Sequence, residues 1–182
     1  MSRSLRSDPY PRRAARRAGA PRPLPIDASP ARPGFVHPAS PRDIADLLTE
    51  LGPAATYGLR GIQLRQRPSG HGLVVAALRM PGLIFVYEQP QPPWTLAGHL
   101  APESVERLRR AGAIVEALPA ATRVDWPGET LREFVLVDGL LHEIGHHQVQ
   151  HRRRKRTVRA MRTADHERVA TRYADRLRRA VA

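Results

Sequence analysis

The chain has 182 residues, which is enough for one domain with flanking segments. It contains no cysteine, so disulfides and thiolate metal sites are excluded, and histidine and carboxylate side chains are the strong metal ligands that remain. No apolar run approaches the roughly 18 residues that a membrane span requires, and the first residues lack the hydrophobic core of a signal peptide. We therefore expect a cytoplasmic protein without a membrane partner.

The formal net charge of +13 is concentrated at the two ends of the chain. Residues 1–38 carry eight Arg and two Asp, and residues 151–182 carry twelve basic and three acidic residues, whereas residues 39–150 carry ten basic and twelve acidic residues. Lys155 is the only lysine, so the arginine excess also fits an Arg-favouring codon usage. Nucleic-acid binding by the Arg-rich ends is one hypothesis, and solvated ends are the simpler interpretation.

The first part of the chain changes character near residue 39. Residues 1–38 are rich in arginine and proline and contain almost nothing to bury, which predicts a disordered tail. Residues 39–182 are then a single domain. It begins with Ser40-Pro41-Arg42-Asp43, the pattern of a helix N-terminal capping box, and apolar residues from Ile44 to Leu51 at helical spacing predict a helix that ends at Gly52-Pro53.

Three β-rich runs follow, and turn residues separate them. They cover residues 59–67, 73–79 and 83–88, and their turn chemistry predicts an antiparallel meander. Pro102 to Ala111 predicts a second helix, Ala113 to Leu118 a further strand, and Arg123 to Trp126 an extended segment. The fold class is therefore α+β.

The most informative stretch is His142-Glu143-Ile144-Gly145-His146, which has the pattern HExxH. A chance match in a chain of this composition has a probability of roughly two per cent. The stretch lies within a predicted helix from about Glu129 to His151, where His142 and His146 project from one face and can bind one metal ion. Glu143 is then placed to act as a general base without being a ligand.

A catalytic zinc needs a third protein ligand. The last helix, predicted to begin between Thr163 and Asp165 and to reach the C-terminus, offers Glu167 and His166 near its apolar face. Spacing alone does not choose between them, whereas Asp165 suits the N-cap. His147 and His151 are less well placed on the motif helix, and His37, His71 and His99 are expected to be structural or exposed.

The motif and Glu167-Arg168-Val169-Ala170-Thr171-Arg172-Tyr173-Ala174 together resemble the ImmA/IrrE family of zinc metallopeptidases, whose second motif is Glu-x-x-Ala-x-x-Phe-Ala. The resemblance covers about a quarter of the chain, and Tyr173 replaces the usual Phe. It implies a minimal, gluzincin-like zincin fold, with a small, mostly antiparallel sheet packed on the HExxH helix and a C-terminal ligand helix. It also implies that Glu167 is the third Zn2+ ligand.

The resemblance further implies a regulatory endopeptidase whose protein substrate is a helix-turn-helix transcriptional repressor. In this hypothesis Glu143 takes the proton of the attacking water, and the strand Leu83 to Tyr87 binds an extended substrate at a sheet edge. Two alternatives stay open. One is a non-catalytic, zinc-stabilised nucleic-acid-binding protein, and the other is a DNA-associated protease of the SprT-like type, which would favour His166 as ligand.

Overall fold

A computed structural model describes residues 23–69, 73–80, 82–152 and 164–180 of the chain. Its helices are α1 (Pro41–Thr56), α2 (Pro102–Arg110), α3 (Thr130–Phe134), a π-helix (Val135–Leu141), α4 (His142–Arg152) and α5 (Ala164–Ala180). Its strands are β1 (Ile26–Ala28), β2 (Phe35–Val36), β3 (Gly61–Arg65), β4 (Ala76–Met80), β5 (Leu83–Tyr87), β6 (Gln89–Pro90), β7 (Trp94–Ala97), β8 (Ile114–Leu118) and β9 (Ala121–Asp125). The predicted α+β class is confirmed.

The largest sheet has the strand order β1-β3-β5-β4, in which β1, β3 and β5 are parallel and β4 is antiparallel to β5. The predicted antiparallel meander is therefore wrong. The parallel register places Ile62 beside Ile84 and Leu64 beside Val86, so four buried apolar side chains share one face. This shared burial determines the β3–β5 pairing, whereas the tight turn between β4 and β5 joins only those two strands as an antiparallel pair.

Most pairings in this largest sheet are parallel, so the expected mostly antiparallel sheet is also wrong for it. Two smaller sheets are antiparallel throughout. One pairs β2 with β6, and the other has the order β7-β9-β8. No pattern in the sequence predicts β7, and the sequence predicts only an extended segment where β9 lies.

The prediction of a disordered tail to residue 38 is wrong for residues 23–38, while residues 1–22 lie outside the described part of the chain. Ile26 pairs with Ile62 in the parallel β1–β3 ladder, and the backbone N–H of Ile62 donates to Pro25 O over 3.0 Å. A proline-rich composition does not prevent a short strand at a sheet edge, where one row of backbone donors is not needed.

Glu88 anchors this N-terminal segment. Its side chain is fully buried and accepts hydrogen bonds from the backbone N–H of Arg32 at 2.9 Å, from the Arg32 guanidinium, and from the backbone N–H of Arg67 at 3.3 Å. Burial alone would raise the pKa of the Glu88 carboxyl, but these hydrogen bonds and the positive charge of Arg32 more than offset it and hold the pKa below 4.5.

We expect Glu88→Gln to lower the free energy of unfolding at neutral pH by about 2 kcal/mol, because charge-assisted hydrogen bonds to a buried group are lost. A lowered folded-state pKa means that the stabilisation is complete above the unfolded-state pKa and disappears as pH falls through the folded-state value. Urea unfolding from pH 7 towards pH 3 should therefore show the two proteins converging. The exposed Asp46→Asn serves as control, and a difference independent of pH would contradict the assignment.

The helices that flank the largest sheet complete one hydrophobic core. Ile44 of α1, Ile84 of β5 and Leu140 of the π-helix have no exposed surface and belong to the same buried cluster. The predicted capping box of α1 is confirmed, since Asp43 N donates to Ser40 Oγ and Ser40 N donates to Asp43 Oδ2. The helix kinks at Gly52, whose φ is 73°, where the sequence predicted its end.

Three packed aromatic side chains connect the β7-β9-β8 sheet to the segment that precedes the motif. Trp126 packs between Trp94 and Phe134, with ring centroids 5.1 and 4.9 Å away. Because Phe134 ends α3, this contact fixes the start of the motif helix against the second sheet. Among the described helices, none combines the length and the apolar character that crossing a membrane demands.

Candidate metal centre

The motif lies on one continuous helical segment that runs from Thr130 to Arg152. The predicted helix from Glu129 to His151 is thus confirmed in extent, but residues 135–141 adopt a π-helix that leads directly into His142. A Cβ on Gly139 would lie 2.7 Å from Val75 Cγ1, so glycine permits the π-helix to approach β4 and its preceding residues closely. π-helical turns are rare and occur often at functional sites.

The structure brings His142, His146 and Glu167 together. The Nε2 atoms of the two histidines are 3.0 Å apart, and each lies 3.3 Å from Glu167 Oε2. The imidazole rings meet edge to face, with centroids 4.6 Å apart and planes at 87°. Three electron-pair donors therefore converge on one point, and no other group of three such side chains is found within the described ranges.

These distances can be compared with what a zinc ion requires. Ligand distances of about 2.0–2.1 Å in a tetrahedral site place neighbouring donor atoms about 3.3–3.4 Å apart. The observed separations of 3.0 and 3.3 Å match one triangular face of such a tetrahedron. The donor set, two imidazoles and one carboxylate, is also one that catalytic zinc uses. The residues present therefore fit Zn2+ with one coordination position left over.

Glu143 lies beside this triad rather than in it. Its side chain is almost completely buried, and its Oε2 accepts a hydrogen bond of 2.8 Å from the backbone N–H of Leu78 in β4. β4 is the edge strand of the largest sheet. The bond orients the carboxylate toward the edge of that sheet.

Glu167 reaches the histidines because α5 packs very closely against α4. A Cβ added to Gly145 would lie 2.6 Å from the carbonyl oxygen of Ala170 and 3.1 Å from its Cα. Ala170 and Ala174 are buried at this contact. Small residues on both helices therefore set the helix separation that brings the Glu167 carboxylate close to the imidazoles of His142 and His146.

Gly145→Ala is expected to weaken this helix contact, although alanine favours an isolated helix by about 1 kcal/mol. The new methyl group would meet backbone atoms of α5, which cannot move aside as a side chain can. We expect the free energy of unfolding to fall by about 1–3 kcal/mol and zinc affinity to fall with it, because Glu167 moves with α5. Chemical denaturation and a zinc competition titration measure the two effects.

Gly139→Ala is the matched control, since its methyl group would meet Val75 rather than α5. It should reduce stability with a smaller effect on zinc affinity. If both substitutions changed zinc affinity equally, the close approach of α5 would not be what positions Glu167.

Three of the remaining histidines have described side chains. His147 Nε2 is 3.0 Å from the carbonyl oxygen of Tyr57, and His37 Nε2 is 2.9 Å from that of Ser29, so both bind backbone in the described structure; His99 is exposed. His71 and the side chains of His151 and His166 lie outside the described part of the chain.

Two features of the site were missed by the sequence analysis. One is the contact of Glu143 with β4, and the other is the way α4 is tied to α1. Gln148 Nε2 donates to Ala55 O over 2.8 Å, and the neighbouring His147 binds Tyr57 O. Polar side chains directly after the motif were the available signal, because buried polar groups need partners.

Comparison with known proteins adds no family assignment. No family model, no curated protein and no solved structure matches this chain.

Proposed function

We propose that this protein is a zinc-dependent endopeptidase of the ImmA/IrrE type. The observation that carries the proposal is the convergence of His142, His146 and Glu167 at 3.0–3.3 Å, with Glu143 held beside them. The HExxH pattern assigns the roles of His142, Glu143 and His146, and the close contact of α4 with α5 supports that of Glu167. A zincin fold whose largest sheet has mostly parallel strand pairs is part of this proposal.

The chemistry divides between the metal and the chain. When bound, Zn2+ supplies Lewis acidity that polarises a carbonyl group and acidifies water. His142 and His146 would hold it as neutral imidazoles through Nε2, and Glu167 would contribute a carboxylate oxygen. Glu143 takes a proton from the attacking water on its carboxylate and then delivers that proton to the nitrogen of the leaving amine.

The position of β4 supports binding of an extended substrate. The sequence analysis assigned this role to Leu83–Tyr87, which is wrong because β5 lies between β3 and β4. Val75, the residue before β4, accepts a hydrogen bond from Tyr87 N–H, so its backbone faces β5, and by alternation the backbones of Ala76 and Leu78 face away from β5. On that side the N–H of Leu78 already donates to Glu143. A peptide that adds to this edge would pass directly beside Glu143.

The resemblance narrows the substrate class to a regulatory protein, and specifically to a helix-turn-helix repressor. A protease with a single, folded target would show little activity on unrelated proteins. We therefore expect the enzyme to cleave few peptide sequences, so many different peptides have to be offered to it.

The experiment has two steps. A peptide mixture derived from a whole bacterial proteome is incubated with the purified protein, and new peptide termini are identified by mass spectrometry. A helix-turn-helix repressor encoded beside this protein is then incubated in the same way. We expect cleavage that is lost on chelation and restored by Zn2+. Absence of cleavage of both the mixture and the repressor by the zinc-loaded protein would overturn the proposal.

A further inference from the structure

Helix α5 has two faces of opposite character. Ala170 and Ala174 are buried against α4, whereas Arg168, Arg172, Arg176 and Arg179 are all exposed. At 100° per residue, these four arginines fall within about 80° of one another, on the side of the helix opposite the buried alanines. Asp175 is half-buried and falls on the same side as the arginines, within about 40° of Arg179. The helix that carries Glu167 therefore presents a row of guanidinium groups to solvent with one carboxylate among them.

Four of the five other helical arginines whose side chains the structure describes form ion pairs: Arg42 with Asp46, Arg107 with Asp138, Arg110 with Glu106, and Arg132 with both Asp43 and Glu129. The fifth, Arg109, donates to the carbonyl oxygen of Val115. In contrast, the described part of the structure contains no carboxylate within ion-pair distance of Arg172, Arg176 or Arg179. Arg172 and Arg176 are four residues apart and Arg176 and Arg179 three, so these like charges repel each other, and a bound anion would relieve the repulsion.

We propose that the outer face of α5, lined by Arg172, Arg176 and Arg179 and continued by Arg168, binds the phosphate backbone of duplex DNA. The rise of a helix places Arg172 and Arg179 about 10 Å apart along the axis. Duplex DNA presents one negative charge per roughly 1.7 Å of its axis, so a rigid row of this length meets several phosphates at once. The contact carries no base recognition and is independent of the proposed peptidase activity.

The same face is poorly suited to a membrane. A helix that lies in a lipid interface buries its apolar side among the acyl chains. The apolar side of α5 is already covered by α4, and Val169 is the one large apolar side chain of this helix that is exposed among those described. Charge complementarity without an apolar anchor favours a phosphate backbone in water over a lipid surface.

The test compares two variants with the same net charge. The row variant is Arg172→Gln/Arg176→Gln/Arg179→Gln, and the matched variant is Arg42→Gln/Arg110→Gln/Arg123→Gln, which removes three exposed arginines elsewhere. Both are made in the full chain. Binding to a fluorescent 20-base-pair duplex of arbitrary sequence is measured by anisotropy between 50 and 200 mM NaCl, and circular dichroism and zinc affinity verify folding.

We expect the row variant to lose at least about tenfold in affinity and to lower the slope of log K against log salt by about 2–3, since each phosphate contact contributes about 0.9. The matched variant should retain most of the wild-type affinity and slope. Equal losses in both variants would show a net-charge effect and overturn the proposal. Unchanged DNA binding by the row variant, or no DNA binding by the wild type, would also overturn it. Binding to vesicles of phosphatidylglycerol is measured for the same proteins, and a row variant that lost vesicle binding but kept DNA binding would overturn it too.

Discussion

Glu143→Gln is expected to reduce peptide hydrolysis by roughly 10²- to 10⁴-fold, the usual contribution of a general acid–base group. Glutamine keeps the shape of the side chain and can still accept the hydrogen bond from Leu78 N–H, but it cannot take a proton from water. Zinc affinity should stay near the wild-type value because Glu143 is not one of the three converging donors. Initial rates on a cleaved peptide, together with a zinc competition titration, measure both quantities.

The matched control is Glu133→Gln, an exposed position on the same helical segment. It makes the same chemical change outside the site and should leave the rate unaltered. Loss of zinc from the Glu143 variant would make that residue a ligand rather than a base, and a normal rate would place the base elsewhere.

Glu167→Ala should lower zinc affinity by more than about 100-fold. Removing a residue that only hydrogen-bonds to a metal ligand already lowers metal affinity by about 10- to 100-fold, and this substitution removes a ligand itself. The two imidazoles would remain, but two neutral donors neither complete the coordination nor offset the charge of the ion. Competition with a chromogenic chelator at pH 7 measures the affinity, and calorimetry shows whether the protein remains folded.

Two further variants make this result specific. Asp175→Ala removes a carboxylate two turns along the same helix and should retain zinc. His166→Ala tests the alternative ligand, and a greater loss of affinity in that variant than in Glu167→Ala would favour the SprT-like arrangement.

Local rules were sufficient for the parts of this protein that depend on neighbouring residues. The Ser40–Asp43 capping box, the helix that carries His142 and His146, and the beginning of α5 were all predicted from short patterns. Each depends on interactions over three or four positions, which a sequence displays directly. The choice of Glu167 over His166 came instead from the family resemblance, and the structure brings the Glu167 carboxylate to the imidazoles.

Strand pairing was not predictable in the same way. The run at β5 could pair with β4 through the tight turn or with β3 through parallel alignment, and it does both. Segment 26–28 was read as part of a tail because its own composition offers little to bury, yet β3 provides the partner that orders it. Contacts of this kind join distant positions, and the pattern of one segment does not contain them.

The order in which the donors occur along the chain affects the energetics of the site. Two of them lie one turn apart on α4, while the third comes from α5, 21 positions after His146 (167 − 146). The unfolded chain contains no preformed site, so an ion bound by all three donors would stabilise only the state in which α5 is packed against α4. The stabilisation would be about 2.7 kcal/mol when free Zn2+ is 100 times its Kd. Free zinc would therefore strengthen the attachment of α5 to α4 as it fills the site.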